Sequence, residues 1–171
     1  MGYRDVVLFI GYQEIGVSLK TNPTRVKEYI DASCSVKVYD YLQNSWCTHY
    51  LYWVLDKAQK GGIPKTHLGE YSNRRFVEAL PKTTKPRPGD IYYMPIVNGK
   101  QTDHMGFVSQ VFDTEIESLD GNAGDWKDKR TDWSWEKDGK KGGGIGGGMV
   151  CLNRRKISEI KFFLELVPTD F

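Results

Sequence analysis

The chain has 171 residues, enough for one domain with a real core, and its 39% hydrophobic and 27% charged residues are ordinary for a globular protein. Its 24 basic and 22 acidic residues leave a formal charge of +2, too even a balance to suggest nucleic-acid binding from charge alone. No apolar run approaches the roughly 20 residues of a membrane span.

The first half reads as helical. Tyr3 to Ile15 has a continuous apolar centre and stops at Gly16, a C-cap residue. Asn22-Pro23 supplies an N-cap and a first helical residue, opening a helix that carries Val26, Tyr29 and Ile30 and ends near Ser33. A third helix is predicted from Asn44 or Ser45, with Trp46, Tyr50, Trp53, Val54 and Ala58 on or near one face and Gly61-Gly62 as its stop. A shorter helical stretch covers Glu70 to Ala79.

From Pro81 the pattern changes, with Pro86 and Pro88-Gly89 marking a turn. Strands are predicted over Asp90 to Met94, His104 to Phe112, Glu115 to Asp120, Gly148 to Asn153 and Ile160 to Val167, in an antiparallel meander. Helices first and strands afterwards define an α+β class within a single domain, residues 1–171. Gly121 to Gly148 reads as a long irregular segment, holding Trp126, Trp133, Trp135 and the run GGGIGGG.

Three cysteines, Cys34, Cys47 and Cys151, are too irregularly spaced for a disulfide framework and include no CxxC zinc pair. A Cys34–Cys151 bridge remains an alternative to two small core residues. Cys47 is different, because it lies at the start of the third helix. There the helix dipole is positive and the first-turn N–H groups lack intrahelical acceptors, which favours a thiolate. On position alone, an inert packed cysteine fits equally well.

Alternation places His104, Gly106 and Val108 on one strand face, with Gly106 leaving space beside the imidazole. A lone histidine there is more simply a strand cap. Period two puts Asp120 and Asn122 on one side of the next strand, where either could accept the second imidazole N–H; Asp-Gly-Asn is also ordinary turn chemistry. Taken together, nucleophile on a helix, base on a strand and orienter on the next strand form a Cys-His-Asn arrangement of the papain-like kind.

These segments resemble the CHAP domain (cysteine, histidine-dependent amidohydrolase/peptidase), close to the NlpC-type cell-wall peptidases. EIGV with NPTRVKEYI is similar to N-terminal helices of a CHAP subgroup, and SWCTHYLYWVLDKA to the nucleophile helix. RPGDIYYMP resembles the next strand of the family, DHMGFVSQV the segment bearing the base, and SLDGNAG the E-G-N segment. The Gly-rich stretch, CLNRR and IKFFLEL resemble the closing segment. The resemblance implies a papain-like fold of N-terminal helices on an antiparallel sheet. It also implies Cys47 as nucleophile, His104 as general base, Asn122 as orienter, and Asp120 in the place of a glutamate. Asp103 before the histidine, and Thr48 and His49 after the cysteine, depart from the family pattern.

The implied activity is acyl transfer on a peptide or amide bond of bacterial peptidoglycan, in a phage endolysin or a secreted antibacterial effector. Trp46, His49 and Trp126 are the expected substrate contacts, and Tyr39 or Tyr41 could line the cleft or pack in the core. The backbone N–H of Cys47 is a candidate oxyanion donor. No cofactor and no metal are expected, since the three histidines lack ligand spacing. The expected partner is peptidoglycan, joined by an immunity protein if the chain is a toxin, with no nucleic acid and no membrane span. No signal peptide is legible at the N-terminus, so delivery to the periplasm or wall falls to a holin or a secretion system. Two other readings stay open: a catalytically silent wall-binding module using the loop tryptophans, and a cysteine hydrolase of a non-wall substrate.

Overall fold

The computed structural model describes residues 2–33, 46–59, 80–94, 104–123, 134–137, 140–143 and 148–166, with 134–137 and 140–143 as backbone. Three α-helices, α1 (Tyr3–Tyr12), α2 (Pro23–Ser33) and α3 (Cys47–Ala58), precede the strands. The strands are β1 (Lys82–Thr83), β2 (Ile91–Met94), β3 (His104–Val111), β4 (Glu115–Ala123), β5 (Ser134–Lys137), β6 (Lys140–Gly143), β7 (Met149–Lys156) and β8 (Phe162–Leu164). This is the expected α+β class. The expected helix over Glu70 to Ala79 lies outside the described residues, as does Cys34, while Cys151 is buried.

Local chemistry explains the helix starts. The Asp5 carboxylate accepts the Gly2 N–H at 2.8 Å, closing the first turn of α1. Asn22 Oδ1 accepts the Arg25 N–H at 3.0 Å, so the predicted Asn-Pro start of α2 holds. Helix α1 ends at Tyr12 rather than Ile15, and Gly16, at φ 91°, lies in the turn beyond it. That turn is drawn into the sheet: the Gly16 N–H donates to Val150 O and the Val150 N–H to Val17 O, both at 2.8 Å.

Helix α3 is the centre of the molecule and packs against α1, α2, β3 and β4. Every residue from Cys47 to Leu55 is buried. A helix covered all round needs no polar face, which is why its apolar residues exceed a single stripe. Tyr29, Trp46, Tyr50 and Trp53 form an aromatic knot, with Tyr29 at centroid distances of 5.8, 5.5 and 5.2 Å from the other three. The Tyr50 hydroxyl donates to Gly11 O at 2.9 Å, tying α3 to α1. Strand β4 lies close under α3 at Gly121, where a Cβ would stand 2.6 Å from Tyr50 Cβ; only glycine leaves room for the ring.

The large sheet has six strands in the order β1-β8-β2-β3-β4-β7, and all its pairings are antiparallel. Strands β2, β3 and β4 form the expected meander. The simple meander fails at the end, because β8 returns across the sheet to pair with β2 and β1. The helix-facing side carries Ile91, Met105, Phe107, Leu119, Val150 and Leu164, all in the main core. Tyr92, Val108, Ile116 and Phe163 form a smaller apolar cluster. The segment read as irregular, Gly121 to Gly148, is partly regular: its first three residues complete β4, and β5 and β6 pair antiparallel.

Candidate active site

Cys47 is the first residue of α3, after the N-cap Trp46, rather than lying inside a helix begun at Asn44 or Ser45. Trp46 gives no side-chain cap, so the positive end of the helix is presented around the thiol. Cys47 is 2% exposed, and its Sγ lies 3.7 Å from Thr48 Oγ1.

His104 is the first residue of β3 and its side chain is 19% exposed. Its Nε2 lies 3.7 Å from Asp120 Oδ2. That separation makes an ion pair rather than a hydrogen bond, and Nε2 has no hydrogen-bond partner among the described residues. Burial disfavours the charged ring, but attraction from Asp120 and from Cys47, by directional contact and by charge, outweighs it and raises the His104 pKa to about 9. The thiol, the imidazole and the carboxylate therefore form one electrostatic unit.

Asp120 is wholly buried, and donors converge on it from three strands. Tyr92 of β2 donates its hydroxyl to Oδ1 at 2.6 Å. Oδ2 accepts from Ser118 of β4 at 3.1 Å, and from Asn153 and Arg155 of β7 at 3.0 and 2.6 Å. Burial pushes this carboxyl up, yet the Arg155 charge, His104 and the Tyr92 hydroxyl together hold it well below the usual carboxylate range. Sheet register makes the cluster: Tyr92 pairs with Gly106, and Asp120 with Cys151. The space beside Gly106 is taken by this network, since a Cβ there would stand 2.1 Å from Asp120 Oδ1 and 2.7 Å from Tyr92 Cε1.

Other expected site residues fall differently. Asn122 sits at φ 56°, and its Oδ1 accepts the Gly148 N–H at 3.1 Å, stitching the end of β4 to the start of β7. Trp46 and His49, expected to contact substrate, are 0% and 1% exposed, so neither presents surface to a ligand; α3 is buried from Cys47 to Leu55. Burial lowers the His49 pKa to about 3, keeping that ring neutral near neutral pH. Trp126, Trp133, Tyr39 and Tyr41 lie outside the described residues, and Trp135 is described by its backbone. Tyr92, Ser118, Asn153 and Arg155 were not anticipated. The alternation Cys151, Asn153, Arg155 was the available signal, because period two sets these residues on one face of a strand.

A helix-borne thiol coupled to an imidazole that is backed by a carboxylate is the arrangement of cysteine acyl-transfer enzymes. A family model described as the CHAP domain matches residues 39–122, a span that includes Cys47, His104, Asp120 and Asn122. Over that span the chain is similar to the CHAP domain, which points to a cysteine, histidine-dependent amidohydrolase. No curated protein and no solved structure matches the chain.

Proposed function

We propose that the chain hydrolyses an amide or peptide bond in the stem peptides of bacterial peptidoglycan, with Cys47 as nucleophile, His104 as general base and acid, and Asp120 as the group that orients the imidazole. The observation that carries the reading is His104 at the start of β3 with Asp120 Oδ2 3.7 Å from its Nε2, and Cys47 at the front of α3. The wall as substrate rests on the CHAP domain.

The chemistry derives from the geometry. With Nε2 turned to Asp120, Nδ1 is the nitrogen left for the thiol. Near neutral pH the proton already sits on His104, paired with the Cys47 thiolate, and the sulfur attacks the carbonyl carbon. The negative charge formed on oxygen is met by the Cys47 backbone N–H at the helix N-terminus. His104 returns the proton to the leaving amine as the C–N bond breaks, giving a thioester. Water, deprotonated by His104, then attacks the thioester and releases the acid and the free thiol. Asp120 holds the ring in place and favours its cationic form throughout. Asn122, the orienter that the family resemblance implies, acts in this reading through backbone geometry at the β4–β7 junction.

Purified cell walls incubated with wild type, Cys47→Ala and His104→Ala test the reading. Both variants should stay folded and release no peptide, iodoacetamide should abolish wild-type release, and EDTA should not. Full release by Cys47→Ala sinks the proposal. Binding to walls without release by the wild type would favour the silent binding module, and mass spectrometry of released fragments identifies the bond. The reading suits an endolysin or an antibacterial effector. A neighbouring holin gene would select the first, and a small secreted partner, the immunity protein, the second.

A further inference from the structure

We propose that Arg155 is a positioning residue of this site: it keeps Asp120 in its carboxylate form and fixes where that carboxylate stands behind His104. The proposal deepens the hydrolase reading and rests on the role given there to Asp120.

The first ground is geometric. Arg155 Nη2 lies 2.6 Å from Asp120 Oδ2, the same oxygen that faces His104 Nε2 at 3.7 Å. Among the described residues, Arg155 is therefore the nearest cation to a carboxylate with 0% exposure. A buried carboxylate is costly unless it is paired and hydrogen-bonded, and without a cation it takes up a proton instead. The other strong donors to Asp120, Tyr92, Ser118 and Asn153, are neutral.

The second ground is the surroundings. Among the described residues, the titratable groups facing Asp120 are His104 on β3, Tyr92 on β2, Arg155 and Cys151 on β7 and, across Gly121, Tyr50 on α3. Among these, only Arg155 and His104 can carry positive charge. His104 must surrender its proton during turnover, so it cannot hold Asp120 ionised through the whole cycle. Arg155, which does not deprotonate in proteins, can. Its guanidinium also sits 5.7 Å from the Tyr92 ring centre, beside the hydroxyl that holds Oδ1. Arg155 is anchored on β7 four residues beyond Cys151, the sheet partner of Asp120, so the strand alternation aims both side chains to one face.

The consequence is a separation of tasks. Arg155 sets the charge of Asp120, Asp120 sets the orientation and charge of His104, and His104 moves the proton. Loss of Arg155 should let Asp120 protonate within the working range, and below that point the imidazole loses the partner that favours its cationic form.

The test is a carbon-13 carboxyl titration of the full chain labelled at aspartate, with Asp120 assigned from the Asp120→Asn spectrum. In wild type the Asp120 carboxyl should remain ionised down to acid unfolding. In Arg155→Met it should titrate higher by about one pH unit or more, as expected for loss of an opposite charge at this range. The acid limb of wall hydrolysis should move with it, and Arg155→Lys should restore both towards wild type. An unmoved carboxyl titration in a folded Arg155→Met chain overturns the proposal, as does a uniform loss of activity at every pH. Arg155→Gln, which keeps a donor and drops the charge, serves if Met does not fold; failure of both to fold makes Arg155 a fold determinant and also overturns it. The carboxyl titration needs no turnover. An inert wild type with the shifted carboxyl sinks the hydrolase reading alone, and an active wild type with an unmoved carboxyl sinks the Arg155 proposal alone.

Discussion

Gly106 offers the sharpest test of how the site is built, because the change is one methyl group. An alanine Cβ would lie 2.1 Å from Asp120 Oδ1, which is about 1.3 Å inside ordinary contact. It would also lie 2.7 Å from Tyr92 Cε1 and 3.0 Å from Leu119 O. The backbone oxygen is held in the sheet and cannot yield, so the carboxylate and the ring must move. Overpacking of this kind costs about 1–3 kcal/mol. Strain on the buried 2.6 Å bond between Tyr92 and Asp120 adds about 1–2 kcal/mol, as for a bond to a charged group. Urea unfolding of Gly106→Ala should therefore show a loss of about 2–5 kcal/mol. Activity should suffer more than stability implies, because a displacement of about 1 Å in a catalytic group costs about 100-fold in rate. Rates of wall hydrolysis are compared where both chains are fully folded. A Gly106→Ala chain with wild-type rate and wild-type stability would refute the claim that Asp120 occupies the hollow of the missing side chain.

Three further outcomes are expected. The His104 pKa is raised from 6.5 to about 9, so its contribution to stability is complete below 6.5 and is lost as pH rises through about 9. That contribution is on the order of 3 kcal/mol, read by urea unfolding on either side of that range, and wall hydrolysis should fall over the same interval; stability that rises there contradicts the coupling. Asp90, with 0% exposure, accepts from Arg4 at 2.9 Å and from the Arg87 and Leu166 N–H groups at 2.9 and 3.0 Å, so it joins α1, the turn before β2 and the chain beyond β8. Asp90→Ala should lower stability by about 3 kcal/mol while the folded fraction keeps its turnover rate, which thermal melts and rate assays together would show. Cys151→Ala should cost about 1 kcal/mol and retain hydrolysis; an inactive but folded variant would place a second thiol in the chemistry.

Much of this architecture was legible because its signals are local. Asn22-Pro23 reads as a helix start from two residues, and the structure adds only the bond to the Arg25 N–H. Strands β2, β3 and β4 are legible from alternation and intervening turns. The return of β8 to the far side of the sheet was not legible, since pairing of Phe163 with Tyr92 depends on contacts 71 residues apart. Helix α3 misled in another way. Its apolar residues were assigned to one face, which left His49 free to look outward, whereas neighbours on every side bury it to 1% exposure. Nothing within the helix records how many elements surround it.

The third member of the site shows why spacing alone could not decide between Asp120 and Asn122. The period-two rule sets both on one side of β4 only if the strand is regular. It is not: Asp120 pairs with Cys151 and Ala123 with Met149, so two residues of β4 stand opposite one of β7. The extra residue is a bulge, and it rotates the end of the strand out of phase. Asn122 takes up the left-handed conformation there, at φ 56°, which asparagine tolerates better than most residues. Its amide then bonds the Gly148 N–H. Asp120, the last regular residue before the bulge, keeps its register and stands behind His104. A bulge also adds local twist, and the end of β4 carries that twist where the strand runs beneath Tyr50 of α3 at Gly121. Straightening it by deleting Asn122 should restore even pairing with β7. It should also remove the Gly148 tether, so wall hydrolysis should fall even if Asp120 itself does not move. Full activity in that deletion would show that the bulge is incidental to the site.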